Sequence, residues 1–169
     1  MAKVELLAPL ILKWEGGFVN DPKDKGGATN MGITLSTWQK QGYDKNHDGH
    51  IDENDIKLLD VKDFIIILNS YWNTWKANNI EDQKLANICV DWVWGSGAWG
   101  VKLVQRLLGL TEDGVVGNLT LSTLNSQNPQ DFLKMVYNAR LEFLNNIVKR
   151  DSSQSRFIKG WTNRLNSFL

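Results

Sequence analysis

Apolar residues recur at helical spacing along most of the chain. Val4, Leu7, Leu10, Ile11 and Trp14 share one face and predict a helix over residues 3–14, closed by Gly16-Gly17. Phe18 to Asn30 reads as loop, punctuated by Pro22 and Gly26-Gly27. Thr34 is placed to cap a short helix that Gly42 closes. Asp60 is placed to cap an amphipathic helix in which Val61, Phe64, Ile65, Leu68, Tyr71 and Trp72 line up. Further helices are predicted over about 81–94 and over 99–108, the second with Gly109 just past its end. Residues 111–118 (TEDGVVGN) form a turn cluster, with Asn118 capping a short helix to Leu124. Asn128-Pro129 opens a long helix to about Arg150, and a last helix covers 155–168. The fold class is mainly α: a helical bundle with at most a small β-hairpin near residues 18–34.

Composition narrows the functional classes. The chain has 169 residues and is 42% hydrophobic, enough to bury a core without disulfides, and Cys89 has no partner cysteine in any case. Lys and Arg together number 19 and so do Asp and Glu, which argues against a duplex nucleic-acid binder with its strongly basic surface. The longest apolar run, Phe64 to Leu68, is far too short to span a bilayer, so no stable membrane insertion is expected. Lys3, Glu5 and Lys13 interrupt the apolar start and no small-residue cleavage site follows. The expectation is a chain made in the cytoplasm without a signal peptide.

The sharpest local motif runs from Asp44 to Asp55. Asp44, Asn46 and Asp48 stand at loop positions 1, 3 and 5 of an EF-hand-like pattern, Gly49 at the sharp turn and His50 at the position that offers its carbonyl. Asp52 and Asp55 complete an oxygen-rich set suited to a structural Ca2+. Asp55 replaces the usual Glu at position 12, as in the dockerin version of the loop. A solvated acidic turn accounts for the same residues, since Asp, Asn and Gly favour turns.

A second constellation begins where the first helix ends. Glu15 is expected at the negative end of that helix beside the Trp14 indole, a setting that would disfavour a charged carboxylate; taken alone, the position reads better as a surface Glu at a frayed helix end. A carboxyl group kept protonated near neutral pH can protonate a leaving oxygen. Asp24 and Thr29 follow in the segment EGGFVNDPKDKGGATNMGIT, an arrangement similar to the Glu, Asp and Thr of phage-type lysozymes, one residue shorter between Asp and Thr. Glycosidases commonly place two carboxylates about the scissile bond. Glu15 would be the acid, Asp24 would stabilise positive charge or orient water, and Thr29 would position that water. Asp21 competes with Asp24 for the second role.

The whole chain is similar to glycoside hydrolase family 108. The Glu-Gly-Gly block and Asp-Lys-Gly-Gly-Ala-Thr-Asn-Met-Gly-Ile-Thr carry the resemblance at the front. The segments 104–109 (VQRLLG), 112–117 (EDGVVG), 119–121 (LTL) and 157–164 (FIKGWTNR) resemble the predicted peptidoglycan-binding domain that accompanies that family. The resemblance implies a lysozyme-like α+β fold, with residues 1–95 as catalytic region and 96–169 as helical peptidoglycan-binding region. It implies an N-acetylmuramidase of endolysin, prophage or secretion-associated kind, cleaving peptidoglycan between N-acetylmuramic acid and N-acetylglucosamine with Glu15 as the essential acid. A non-catalytic wall-binding or secretion-assisting protein and a lytic transglycosylase are the alternatives. Such a protein reaches the wall through a holin, a secretion system or lysis. One departure is Trp92-Val93-Trp94 before Gly95-Ser96-Gly97, where the family has an Asn before Ser-Gly.

The resemblance gives the aromatic residues and the charge pattern a context. Eight Trp suggest either core or a sugar-stacking groove. Trp14, Tyr71 and Trp72 are the groove candidates, with Asn30 and Ser96 as further substrate-binding candidates. The zero net charge is a sum of opposed regions: seven acids lie in 44–63, whereas 134–169 carries seven Lys and Arg against two acids. The basic end suits an anionic cell wall.

Overall fold

The computed structural model describes residues 1–20 and 27–169. The fold is mainly helical with a small antiparallel sheet, of the lysozyme-like class that the sequence predicted. By packing, the chain divides into two compact units, Val4–Ser70 and Met1–Lys3 with Tyr71–Leu169.

The first unit is assembled from short elements. Helix α1 (Val4–Leu12) buries Val4, Leu7, Ala8 and Ile11. It ends two residues earlier than the periodicity predicts, and it tolerates Pro9, which removes one helical N–H donor. Strands β1 (Thr29–Asn30) and β2 (Ile33–Thr34) form the hairpin, paired Thr29 to Thr34 and Asn30 to Ile33. Its turn residues Met31 and Gly32 have φ of 53° and 75°, the positive pair that a two-residue type I′ turn requires. Val19 bonds Thr29 from the other side, N–H to carbonyl in both directions at 2.8 Å, so Thr29 sits between two neighbours.

Thr34 then caps α2 (Leu35–Gln41) by accepting from the Thr37 N–H. Gly42 closes that helix with φ of −94°, so its backbone makes no demand for glycine. Space does: a Cβ there would lie 2.2 Å from the fully buried Trp38 indole. Helix α3 (Glu53–Lys57) is followed by α4 (Val61–Thr74), capped by Asp60 through the Lys62 and Asp63 N–H groups. Phe64, Ile67, Leu68 and Trp72 are its buried apolar residues, whereas Val61 is exposed. The buried face is thus rotated from the predicted one, towards Ile67 and away from Val61. The division between the units falls inside this helix.

The second unit is built from longer helices. Asp82 caps α5 (Gln83–Ser96), whose residues 85–93 are all buried, the signature of a central helix. Cys89 lies among them with its thiol pushed up to about 12 by burial. Helix α6 (Trp99–Leu107) crosses α5 so closely that a Cβ on Gly100 would meet the Val93 backbone nitrogen at 2.6 Å. Helix α7 (Asn118–Asn125) starts at Asn118 itself; Gly117 occupies the cap position and makes no side-chain cap bond, contrary to the capping role expected of Asn118. Asn128 caps α8 (Pro129–Arg150) through the Gln130 and Asp131 N–H groups, and α9 (Ser155–Asn166) ends the chain.

One buried ionic cluster joins these helices. Asp91 on α5 is fully buried and accepts from Arg140 on α8 at 2.6 Å and from Arg164 on α9 at 2.6 and 3.1 Å. Removing the carboxylate would leave two guanidinium groups without their shared counter-charge in a poorly solvated place.

Candidate active site

Glu15 follows α1 directly. The chain leaves the helix with the Trp14 and Glu15 N–H groups both returning to the Ile11 carbonyl, at 2.8 and 3.2 Å. Glu15 is half-buried, as is Trp14, so the carboxylate is neither lost in the core nor fully in water. The next carbonyl, of Gly16, accepts from the Met31 N–H at 3.1 Å. The hairpin is therefore laced to the backbone one residue beyond Glu15, and Thr29 lies two residues before that tie. The structure thus brings the Glu15 and Thr29 segments together through main-chain bonds. Asp24 and its rival Asp21 lie outside the described residues.

Two other expectations about substrate contacts need correction. Asn30 is 7% exposed, and its amide donates to the Ile56 carbonyl at 2.8 Å, an internal tie between β1 and α3. Trp72 is 1% exposed and its indole N–H donates to Asn78 at 2.8 Å, so it belongs to the core and not to a wet groove. Helical spacing put Trp72 beside Tyr71, but adjacent helical residues point about 100° apart and only one of them faces outward. Tyr71 is half-buried with its ring 4.8 Å from that of Trp94. Ser96 ends α5 and is half-buried. Tyr71 and Ser96 belong to the second unit, Trp14 and Glu15 to the first.

The acidic loop takes the shape its composition dictates. His47 and Gly49 adopt positive φ of 62° and 91°. Asp44 accepts from the N–H groups of His47, Asp48 and Gly49, Asn46 from that of Asp48, and Asp48 from that of His50. Asp52 caps α3, and Asp55 completes a capping box with it. Asp55 is fully buried and accepts from Lys45, Asn46 and Asp52 at 2.7, 3.2 and 2.8 Å. Burial pushes its carboxyl up, but those three N–H donors outweigh burial and hold it below the usual range.

Among the described residues no three His, Cys, Asp or Glu side chains gather in an arrangement able to hold a metal ion. Both Asp55 oxygens accept from backbone N–H groups. Calcium on Asp44, Asn46, Asp48, His50, Asp52 and Asp55 rests on the sequence pattern alone.

Sequence reasoning missed two polar centres. One is the Asp91 cluster. The other joins Lys45 to Asp60 at 3.1 Å and to the buried Asp63, which also accepts from the Tyr43 hydroxyl at 2.8 Å. The hydrogen bond to Asp63 holds the Lys45 ammonium well above its ordinary range. Their partners lie many residues apart, and no local pattern reports such pairing.

No described helix is long and apolar enough to cross a membrane. No curated protein matches the chain. Among solved structures it is similar to Brucella abortus SagA, with 31% identity over 98% of this chain and 90% of that one and a TM-score of 0.74. Residues 99–166 match the family described as Predicted Peptidoglycan domain, which gives the second unit a wall-directed role. Residues 8–97, from α1 through the Glu15 turn and hairpin to the end of α5, match Glycosyl hydrolase 108, and the chain belongs to that family.

Proposed function

We propose that the protein is an N-acetylmuramidase that cleaves the bond between N-acetylmuramic acid and N-acetylglucosamine, with Glu15 as general acid. The observation that carries the reading is the placement of Glu15: half-buried, at the carboxyl end of α1, beside Trp14, and followed at once by the glycine whose carbonyl anchors the hairpin. Glu15 would give its proton to the glycosidic oxygen as the bond from that oxygen to the sugar carbon breaks, and positive charge would develop on the sugar ring. Asp24, or Asp21 in its place, would stabilise that charge or orient a water. Thr29, fixed between Val19 and Thr34, would hold the water for attack.

Replacing Glu15 by Gln keeps the shape of the side chain and removes the transferable proton. Clearing of purified cell walls should fall by about two to four orders of magnitude. Unchanged clearing would remove Glu15 from the mechanism and favour a wall-binding, non-catalytic role. Mass spectrometry of the fragments should show reducing N-acetylmuramic acid ends; anhydro ends would identify a lytic transglycosylase instead. Delivery to the wall by a holin, an exporter or lysis belongs to the same proposal, with an endolysin or secretion-associated role. Genes for a holin or a secretion system beside this one would support it.

A further inference from the structure

The second unit contains a cavity of about 480 Å³ between α6 and α8, within the range of small-ligand sites. Its composition is ordered in rows. Trp99, Leu103 and Leu107 stand at intervals of four on α6, and Ala139, Phe143 and Ile147 do so on α8, giving two apolar walls. Glu142, Asn146 and Arg150 form a third row along α8, which at the helical rise runs about 12 Å from end to end.

Three features distinguish this cavity from incidental surface. Trp99 is 52% exposed at the cavity's edge, an unusual place for a large indole, with the Lys102 ammonium 5.8 Å from its ring centroid. Phe143 is held from behind by the fully buried Trp92, ring to ring at 6.0 Å, so that part of the wall is fixed in advance. Among the described residues, the side chains of Glu142, Asn146 and Arg150 have no hydrogen-bond or ion-pair partner. An acceptor, an amide and a guanidinium therefore stand unspent along one edge of an apolar trough.

Charge selects the occupant. Arg106, the other cation of the lining, is already matched by Glu112 through two bonds of 2.7 Å. Glu142 and Arg150 cancel, and Asn146 is neutral. A row of zero net charge suits a neutral ligand rich in hydroxyl and amide groups; an anionic peptide would meet Glu142 unfavourably. Sugar rings offer apolar faces to an indole and hydroxyls to the polar row.

We propose that this trough is a glycan-binding subsite for N-acetylated hexosamines, with a sugar ring on Trp99, acetamido methyl groups against the apolar rows, and acetamido and hydroxyl groups on Glu142, Asn146 and Arg150. It rests on the peptidoglycan reading above and names the part of the wall that the second unit grips.

The test uses full-length Glu15→Gln protein labelled with 5-fluorotryptophan, whose Trp99 fluorine signal is assigned by its loss in Trp99→Phe. Titration with chitotetraose should shift the Trp99 signal saturably. Cellotetraose, which lacks the acetamido groups, should bind at least tenfold more weakly, and Asn146→Ala should weaken chitotetraose about tenfold, one hydrogen bond's worth. A Trp99 signal unmoved by chitotetraose overturns the proposal, even if other Trp signals respond. A signal that answers only to a carboxylate-bearing stem peptide overturns it in favour of peptide recognition. Circular dichroism on Asn146→Ala separates lost binding from lost folding. Because the Glu15→Gln background removes the acid from every arm, the outcome is independent of whether wild-type protein hydrolyses the wall.

Discussion

The two units hold themselves together by different means. In Val4–Ser70 the helices are short, and much of the order between them comes from carboxylates that accept backbone N–H groups: Asp44, Asp48, Asp52, Asp55 and Asp60. In Tyr71–Leu169 order comes from long helices around α5, with a single buried ionic cluster inside them. The first strategy suits the role proposed for Glu15, since catalytic groups commonly sit on loops that a rigid frame positions. The second suits a frame. Their failures should differ accordingly: loss of an acid in the first unit opens a loop, whereas loss of the acid in the second opens the bundle.

The largest effect is expected at Asp91. Asp91→Ala should cost about 3–5 kcal/mol, because Arg140 and Arg164 lose their common partner where water screens them poorly. Urea unfolding measures it, and a cost below about 1 kcal/mol would show the bundle indifferent to the cluster.

Asp55→Ala should cost about 2–3 kcal/mol, since three backbone donors lose a charged acceptor. Hydrogen exchange should locate that loss in residues 44–57 and leave 85–93 protected. The same residue sets an acid response. Its carboxyl lies below the unfolded value, so its contribution is complete above about pH 4 and is lost as pH falls through the lower folded value. Acid should therefore release the 44–57 amides in a step that Asp55→Asn abolishes; a step that persists in the variant assigns it to another group.

Gly42→Ala should cost about 1–3 kcal/mol, as the Trp38 indole has to move. Gly160→Ala in α9 faces open space and should instead add about 0.5–1 kcal/mol, which paired melting curves would separate.

The smallest effect concerns calcium. The loop is already closed by N–H bonds to Asp44, Asp48 and Asp55, so chelation of a bound calcium should lower the melting temperature only slightly. A curve unaltered by both calcium and chelator would leave the loop closed by its own backbone.

Periodicity and capping made most of the helices legible. Thr34, Asp60 and Asn128 each cap where local chemistry placed them, because a cap is settled within four residues. What stayed hidden depends on distant partners. Nothing near Asn30 in the chain announces that its amide will meet the Ile56 carbonyl. Trp72 and Trp99 are the same residue type in similar helical company, yet one is core and the other half in solvent. Gly42 resembled a conformational stop and proved to be a spatial one. Glu15 and Thr29 pair in the sequence because the segment joining them is short, and their segments meet through the Met31 N–H and the Gly16 carbonyl. The proposed trough had no such signal, since its opposed rows, 99–107 and 139–150, lie more than thirty residues apart in the chain.

Cys89 gives the frame its own clock. Its thiol, fully buried at the centre of α5 and held protonated to about 12, cannot react while the bundle is closed. In an oxidising environment that closure would also protect the molecule from oxidative cross-linking. Any thiol reagent must wait for α5 to open. The labelling rate of this one residue therefore reports how often the second unit breathes, and it does so without a substitution.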